Sequence, residues 1–351
     1  MIPSWREFLE NAGAEFEDGC VGHFGSPRRE SSLAITGDVF ADLSCFGLVS
    51  VHGADAATFL HGQFTNDVLT IDEAHSQLTG YCNPKGRLLA IMRLFRRGDS
   101  FYLCLPESLI ESLISRLKMF VLRADVTIDK ASDTFVHLGV SGRNVEQTLA
   151  TLVPKLPHTV GDVIQDRDSV LIKVPGIHPS FELFTSVASG RHLWEALSVR
   201  GAPVGGDAWR LMDILSGIPF IYPQTREAFV PQMVNLQLVD GVNFRKGCYP
   251  GQEIVARMQY LGKLKRRMYH ARVDTDQPIR PGDPIRSEAD TDQAVGEVVA
   301  AARHPDGGHA VLAVLQIADA EPGDAPLYLG TVGGPRITLT DLPYPVPVAA
   351  E

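Results

Sequence analysis

Long apolar runs are missing from this chain of 351 residues: no stretch approaches the ~20 consecutive apolar residues that a membrane-spanning helix needs. The first residues, MIPSWREFLENAGAEFEDG, are amphipathic and acidic, without the basic start and apolar centre of a secretory signal. Cysteine is scarce. The five residues Cys20, Cys45, Cys82, Cys104 and Cys248 form no C-x-x-C pair, and an odd number cannot close completely into disulfides. A reducing compartment fits, and the chain reads as cytosolic. Positive charge is also in deficit: a formal net charge of -10 repels polyanions at long range and argues against a general nucleic-acid coat protein. No P-loop, dinucleotide fingerprint or G-x-S-x-G elbow is present. His137, His178 and His192 show no metal-ligand spacing, so the sequence assigns no metal.

What remains is an ordinary globular composition, 44% hydrophobic and 21% charged, in a chain longer than one hydrophobic core usually spans. Residues 46–52 alternate as a strand does, and a turn followed by a helix is expected over ADAATFLHGQFT. Asn83-Pro84-Lys85-Gly86 marks a tight turn between two strands, with a third strand after Gly98-Asp99 and a helix from about Glu107 to Leu122. From Val126 to Arg200 the pattern becomes strand, helix, two strands, helix, which predicts a compact split-βαβ unit. Another helix is expected over Asp207–Ser216. After Gly262 short strand-like segments recur at close spacing and predict a small β-barrel or sandwich.

Chemistry concentrates in FRKGCYPGQEIVAR. Gly247 and Gly251 allow positive φ or close approach to a ligand, and Pro250 stiffens the turn between them. Gly251 precedes a helix, QEIVARMQYL, in which Ile254, Val255 and Met258 are expected to face the core. Cys248 then lies just before a helix N-terminus beside Arg245 and Lys246, an electropositive setting that favours the thiolate. The residues alone leave two readings open: a tight turn with a small buried Cys, or a ligand-binding turn with a reactive thiol. At Thr58–Val68, His61, Gln63, Asn66 and Asp67 read as capping and turn chemistry. Lys263, Lys265, Arg266 and Arg267 form a local basic patch.

KGCYPGQEIVAR resembles the signature of the YgfZ family of folate-binding proteins, relatives of the glycine-cleavage T-protein and of the mitochondrial iron–sulfur assembly factor of the same superfamily. VHGADAATFLHGQFTNDV, NPKGRLLAIMRLFRRGDSFYL, WRLMDILSGIP and AVGEVVAAA continue the likeness in order, over roughly Phe46 to Ala318. The resemblance implies an α+β fold, a three-domain T-protein-like ring. Its parts would be a discontinuous folate-binding domain over 1–125 and 205–260, a ferredoxin-like domain over 126–204, and a C-terminal β-barrel over 262–342. An irregular tail would follow over 343–351.

It further implies tetrahydrofolate or another folate as cofactor, held by Phe46, Trp209, Lys246, Gln252 and Glu253, with Cys248 as the chemically active thiol. Phe46 stands where a well-known member has tryptophan, keeping an apolar face and losing the indole N–H. The T-protein relatives carry an Asp-Asp pair where this chain reads Gly86-Arg87-Leu88-Leu89-Ala90, which argues against aminomethyl transfer. The expectation is therefore an accessory protein supporting iron–sulfur enzymes, including tRNA-modifying ones. The alternatives are a folate-dependent one-carbon transferase using Asp67 or Glu253, and direct tRNA contact through the basic patch.

Overall fold

The computed structural model describes residues 1–320 and 325–347, and within these the side chains of all but 290–292. By contact density the chain divides into two compact units. One comprises residues 1–56, 70–77 and 93–213; the other comprises 57–69, 78–92 and 214–351. The strand Leu88–Arg97 runs out of the second unit into the first, and each half is described with its own unit.

In the first unit, six strands form a sheet in the order Val163–Gln165, Ser169–Val174, Ser180–Thr185, Val136–Ser141, Val39–Asp42, Ala202–Val204. All neighbours are antiparallel except the last pair, which is parallel. Period-two alternation sorts its side chains. Leu138, Val140, Leu171, Phe181 and Leu183 point to a face covered by Trp5 and Leu9 of the helix Pro3–Asn11 and by Leu193, Trp194 and Leu197 of the helix Val187–Leu197. Val170, Ile172, Val174 and Phe184 point the other way, against Leu48, Phe95 and Cys104. A large apolar side chain buried this fully contributes about 2–3 kcal/mol.

A second set of strands pairs Arg93–Arg97 with Ser100–Pro106, the latter with Phe46–His52, and that in turn with Thr127–Lys130. The helix Ile110–Val121 turns Ile110, Leu113, Ile114 and Leu117 inward at i, i+3, i+4 and i+7 spacing. The predicted split-βαβ segment is thus present, and its sheet is extended by Val39–Asp42. That strand comes from an N-terminal stretch whose pattern is too short to be read as a strand.

The second unit holds a closed six-stranded barrel, in the order Arg266–Val273, His309–Gln316, Asp290–Arg303, Pro284–Ser287, Leu327–Leu329, Arg336–Thr340. Ala271, Val273, Ile285, Val298, Val311, Ala313, Leu315 and Ile337 fill its centre. Closure pairs both edges of the sheet, so no strand is left open to another chain. The mixed α and β content and the C-terminal barrel are those expected from the sequence. Residues 341–347 hold no helix or strand, although the Tyr344 hydroxyl donates to the Gly217 carbonyl at 2.8 Å. The rest of the tail expected to be irregular, 348–351, lies outside the described residues. No helix among the described residues is long and apolar enough to cross a membrane.

Candidate functional site

In the second unit three pieces of chain converge: the loop after the helix Ala56–His61, the hairpin turn at Asn83–Gly86, and the segment Gly241–Gly251 that leads into the helix Gln252–Tyr260. Thr65 links the first to its neighbours. Its buried hydroxyl donates to the Gly241 carbonyl and accepts from the Gly80 N–H, both at 2.7 Å. Asn66 donates through its amide to the Leu78 and Asp240 carbonyls at 2.9 and 2.6 Å. His61 Nδ1 lies 3.1 Å from Asp67 Oδ1, whose carboxylate also accepts from the Leu69 N–H at 3.0 Å. These contacts agree with the expected capping and turn chemistry, now with long-range partners.

Lys246 is buried rather than solvated. Its ammonium donates to the Phe64 carbonyl at 2.6 Å and to the His61 carbonyl, and stands 5.1 Å from the centre of the Tyr249 ring. His61 closes its helix, so the ammonium satisfies acceptors that a helix C-terminus leaves open and meets the negative end of its dipole. Burial lowers the Lys246 pKa to about 8, against the opposing charges of Asp67 and Cys248. The side chain therefore clamps main chain to main chain.

The hairpin turn is shaped by Asn83, whose side-chain oxygen accepts from the Lys85 and Arg87 N–H groups at 2.9 and 3.0 Å. Gly251 packs directly on it. With φ at 81°, it begins the following helix in the left-handed region, and a Cβ there would lie 2.5 Å from the Asn83 carbonyl oxygen and from the Gly86 Cα. Gln252 closes the turn from the other side, donating to the Lys246 and Gly247 carbonyls at 3.4 and 3.3 Å. Between these anchors Cys248 is exposed and unpaired with any other cysteine, and Glu253 lies exposed in the first helical turn. The reading of Cys248 as a small buried residue fails, because its thiol is exposed on a turn held by backbone contacts. One expectation fails here: Val255 is buried, but Ile254 is 41% exposed and lies against Gly86 instead of the core.

After the hairpin turn, Leu88, Leu89 and Ala90 are all buried in apolar surroundings. In the basic patch Lys263, Lys265 and Arg266 are exposed while Arg267 turns inward. Lys263 and Arg267 line a cavity of about 550 Å³ together with Gln232, Asn235, Met258 and Leu261.

Phe46 and Trp209 belong to the first unit and share one hydrophobic cluster with Val39, Leu43, Ala208 and Met212. Trp209 is only 4% exposed and lies flat against Gly139, where a Cβ would meet its ring at 2.4 Å. Phe46 is half-buried, its ring 6.4 Å from that of His137. Sequence reasoning missed what surrounds them. Arg93, Glu182 and His137 form a buried charged group, with Arg93 Nε 3.3 Å and His137 Nε2 3.4 Å from Glu182 Oε2. Although burial opposes it, the Arg93 guanidinium and the His137 ring hold the Glu182 carboxyl at about 2. Burial and the Glu182 charge push Asp213 up to about 8. An alternating strand shows such polar residues only as isolated interruptions, which is why no motif exposed them.

This barrel-bearing α/β chain has the fold of the glycine-cleavage aminomethyltransferase T. Residues 24–163 match the model of the GCVT N-terminal domain. The solved glycine cleavage system aminomethyltransferase T of Bartonella henselae superposes with a TM-score of 0.80, covering 96% of both chains, at 19% identity, a likeness of fold. Sequence relatives are closer. The tRNA-modifying protein YgfZ of Colwellia psychrerythraea is 31% identical over 305 residues, 86% of this chain and 92% of that one. Its counterpart in Edwardsiella ictaluri is 33% identical, over 84% and 89% respectively. The chain belongs to the YgfZ family.

Proposed function

We propose that the chain is a folate-binding accessory protein that supports the assembly or maintenance of iron–sulfur enzymes, and through them tRNA modification. The observation that carries this reading is the turn Lys246–Glu253: an exposed thiol on a backbone pinned by Lys246, Gln252 and Gly251, beside a hairpin whose residues 88–90 are apolar and buried. A rigid frame around a free thiol suits ligand-directed chemistry, and the apolar hairpin removes the carboxylate that aminomethyl transfer would use. The relatives' description as tRNA-modifying proteins supports the tRNA context. The T-type fold supports folate as the cofactor.

Each unit holds residues that suit such a ligand. Phe46 offers a partly exposed aromatic face, and Trp209 backs the cluster in which it sits. Gln252 and Glu253 offer an amide and a carboxylate at the turn. Gln63 Oε1, in the loop that Lys246 clamps, is buried without a hydrogen-bond partner and would accept from a heterocyclic N–H. A bound folate would supply a one-carbon unit or a redox-active pterin; the chain's own part is to orient it and present Cys248. The division into folate-binding, ferredoxin-like and barrel domains and the cytosolic location belong to the same proposal; direct tRNA contact through Lys263, Lys265, Arg266 and Arg267 is a separate, competing reading.

The test is twofold. Calorimetric titration of the purified chain with 5-formyltetrahydrofolate should show stoichiometric binding, and no turnover of methylene or formyl folates should accompany it. In a bacterium deleted for its own relative, the wild-type gene should restore iron–sulfur enzyme activity and a Cys248→Ala variant should not. Full restoration by that variant would remove the thiol from the mechanism. Measurable turnover would favour the one-carbon transferase, with Asp67 or Glu253 as its acid.

A further inference from the structure

We propose that Cys104, His137 and Glu182 form a binding site for a divalent first-row metal ion, zinc by preference. They come from three separate strands, Ser100–Pro106, Val136–Ser141 and Ser180–Thr185, and one ligand atom from each lies within 4.8 Å of the other two. Zinc bonds to sulfur, nitrogen and oxygen run at about 2.0–2.3 Å, so gathering the three atoms around one ion takes an inward adjustment of roughly 1 Å, within reach of side-chain torsions.

Burial and unmet hydrogen bonding distinguish this group from a solvated cluster. Cys104 and His137 are 3% and 5% exposed. His137 Nε2 and Glu182 Oε2 are both buried and lie 3.4 Å apart as an ion pair, with neither atom in a well-formed hydrogen bond. One cation touching both would satisfy both. The imidazole is also held in place, stacked on Phe184 at 4.1 Å and 18°, as a ligand ring must be.

A buried Arg93–Glu182 ion pair accounts for the carboxylate alone. The Cys104 thiol, 4.0 Å from His137 Nδ1, adds a soft third donor that the ion pair does not need. Charge is available for an ion. Binding would replace the Cys104 S–H bond by a sulfur–metal bond and release that proton to solvent, so thiolate and Glu182 carboxylate together balance a divalent cation. A sulfur, nitrogen and oxygen set selects zinc or a neighbouring transition metal over calcium or magnesium, which take all-oxygen sites. The inference does not rest on the folate reading, although His137 stands beside Phe46, their rings 6.4 Å apart.

The experiment uses the full chain with Cys248→Ser as background, which removes the exposed thiol as a competing ligand. Zinc is titrated against a chromophoric chelator, and cobalt(II) is added separately as a spectroscopic substitute. One equivalent of zinc should bind, and cobalt should give the intense near-ultraviolet absorption of a thiolate–cobalt bond. Adding Cys104→Ser, close in shape to the original, should abolish that absorption, and His137→Gln should weaken zinc about tenfold or more. Circular dichroism on each variant separates loss of a ligand from loss of fold. The cobalt spectrum of the background protein needs no core variant at all. Absence of binding, or binding indifferent to Cys104 and His137, would overturn the proposal.

Discussion

Two glycines of one motif should respond very differently to the same small change. Gly251→Ala forces a side chain into the left-handed region at φ 81°, at about 1–2 kcal/mol. Its Cβ would lie 2.5 Å from the Asn83 carbonyl oxygen and the Gly86 Cα, where ordinary contact begins at about 3.5 Å. The obstacle is backbone, so the hairpin must move, at about 1–3 kcal/mol more. The total, roughly 2–5 kcal/mol, is a large part of a typical stability of about 5–15 kcal/mol. Gly247 lies outside the left-handed range, and its added Cβ would meet only His61 Nε2 at 3.2 Å, the tip of a side chain that can shift. Gly247→Ala also narrows the unfolded ensemble, worth about 0.4–1 kcal/mol in the stabilising direction. Urea denaturation followed by far-ultraviolet circular dichroism should show a much lower midpoint for Gly251→Ala and a midpoint near wild type for Gly247→Ala. Folate binding should be lost in the first variant only. Equal effects from the two, or a tolerated Gly251→Ala, would refute the argument that the turn is pinned to the hairpin.

Three further outcomes follow from individual side chains. Lys246→Met keeps the stem and removes the ammonium, leaving the His61 and Phe64 carbonyls without their donor, and should destabilise by about 1–3 kcal/mol at neutral pH. The folded Lys246 pKa of about 8 lies below the unfolded value. The cost of burying its charge is therefore present below pH 8 and relieved up to about pH 10.5, and wild-type stability relative to Lys246→Met should rise by about 3 kcal/mol across that window. His270 in the barrel is held down to about 4, first by burial and then by Arg272 and His304. Its contribution is present above pH 6.5 and lost as pH falls towards 4, so acidification should cost wild type about 3 kcal/mol relative to His270→Gln in equilibrium unfolding. In thiol labelling with a disulfide reagent under native conditions, Cys248 should react first and Cys82 and Cys104 last, because the first is exposed and the other two are buried. A fast phase that survives Cys248→Ala would contradict this order.

Local pattern already specified the hairpin at Asn83–Gly86, the helix ending near Val121, the strand at Phe46–His52 and the succession of short strands that closes into a barrel. Each is written in neighbouring residues, as alternation, helical spacing or a turn signal, and needs no distant partner to be recognised. KGCYPGQE was legible as a glycine-bounded turn holding a thiol for the same reason. Tertiary structure decided what those residues touch. Lys246 reads as a solvated cation or a neighbour for the thiol until the chain places two main-chain carbonyls around its ammonium. The motif cannot tell that Gly251, and not Gly247, is the glycine pressed against backbone. Ile254 has a core residue's spacing but faces the hairpin turn. Cys104, His137 and Glu182 are single polar interruptions in three strands, and Cys104 and His137, 33 residues apart, meet only because sheet packing brings their strands together. A sequence records periodicity along one segment. Which faces of distant segments meet is set by packing between them, and that is where the chemistry of this chain is assembled.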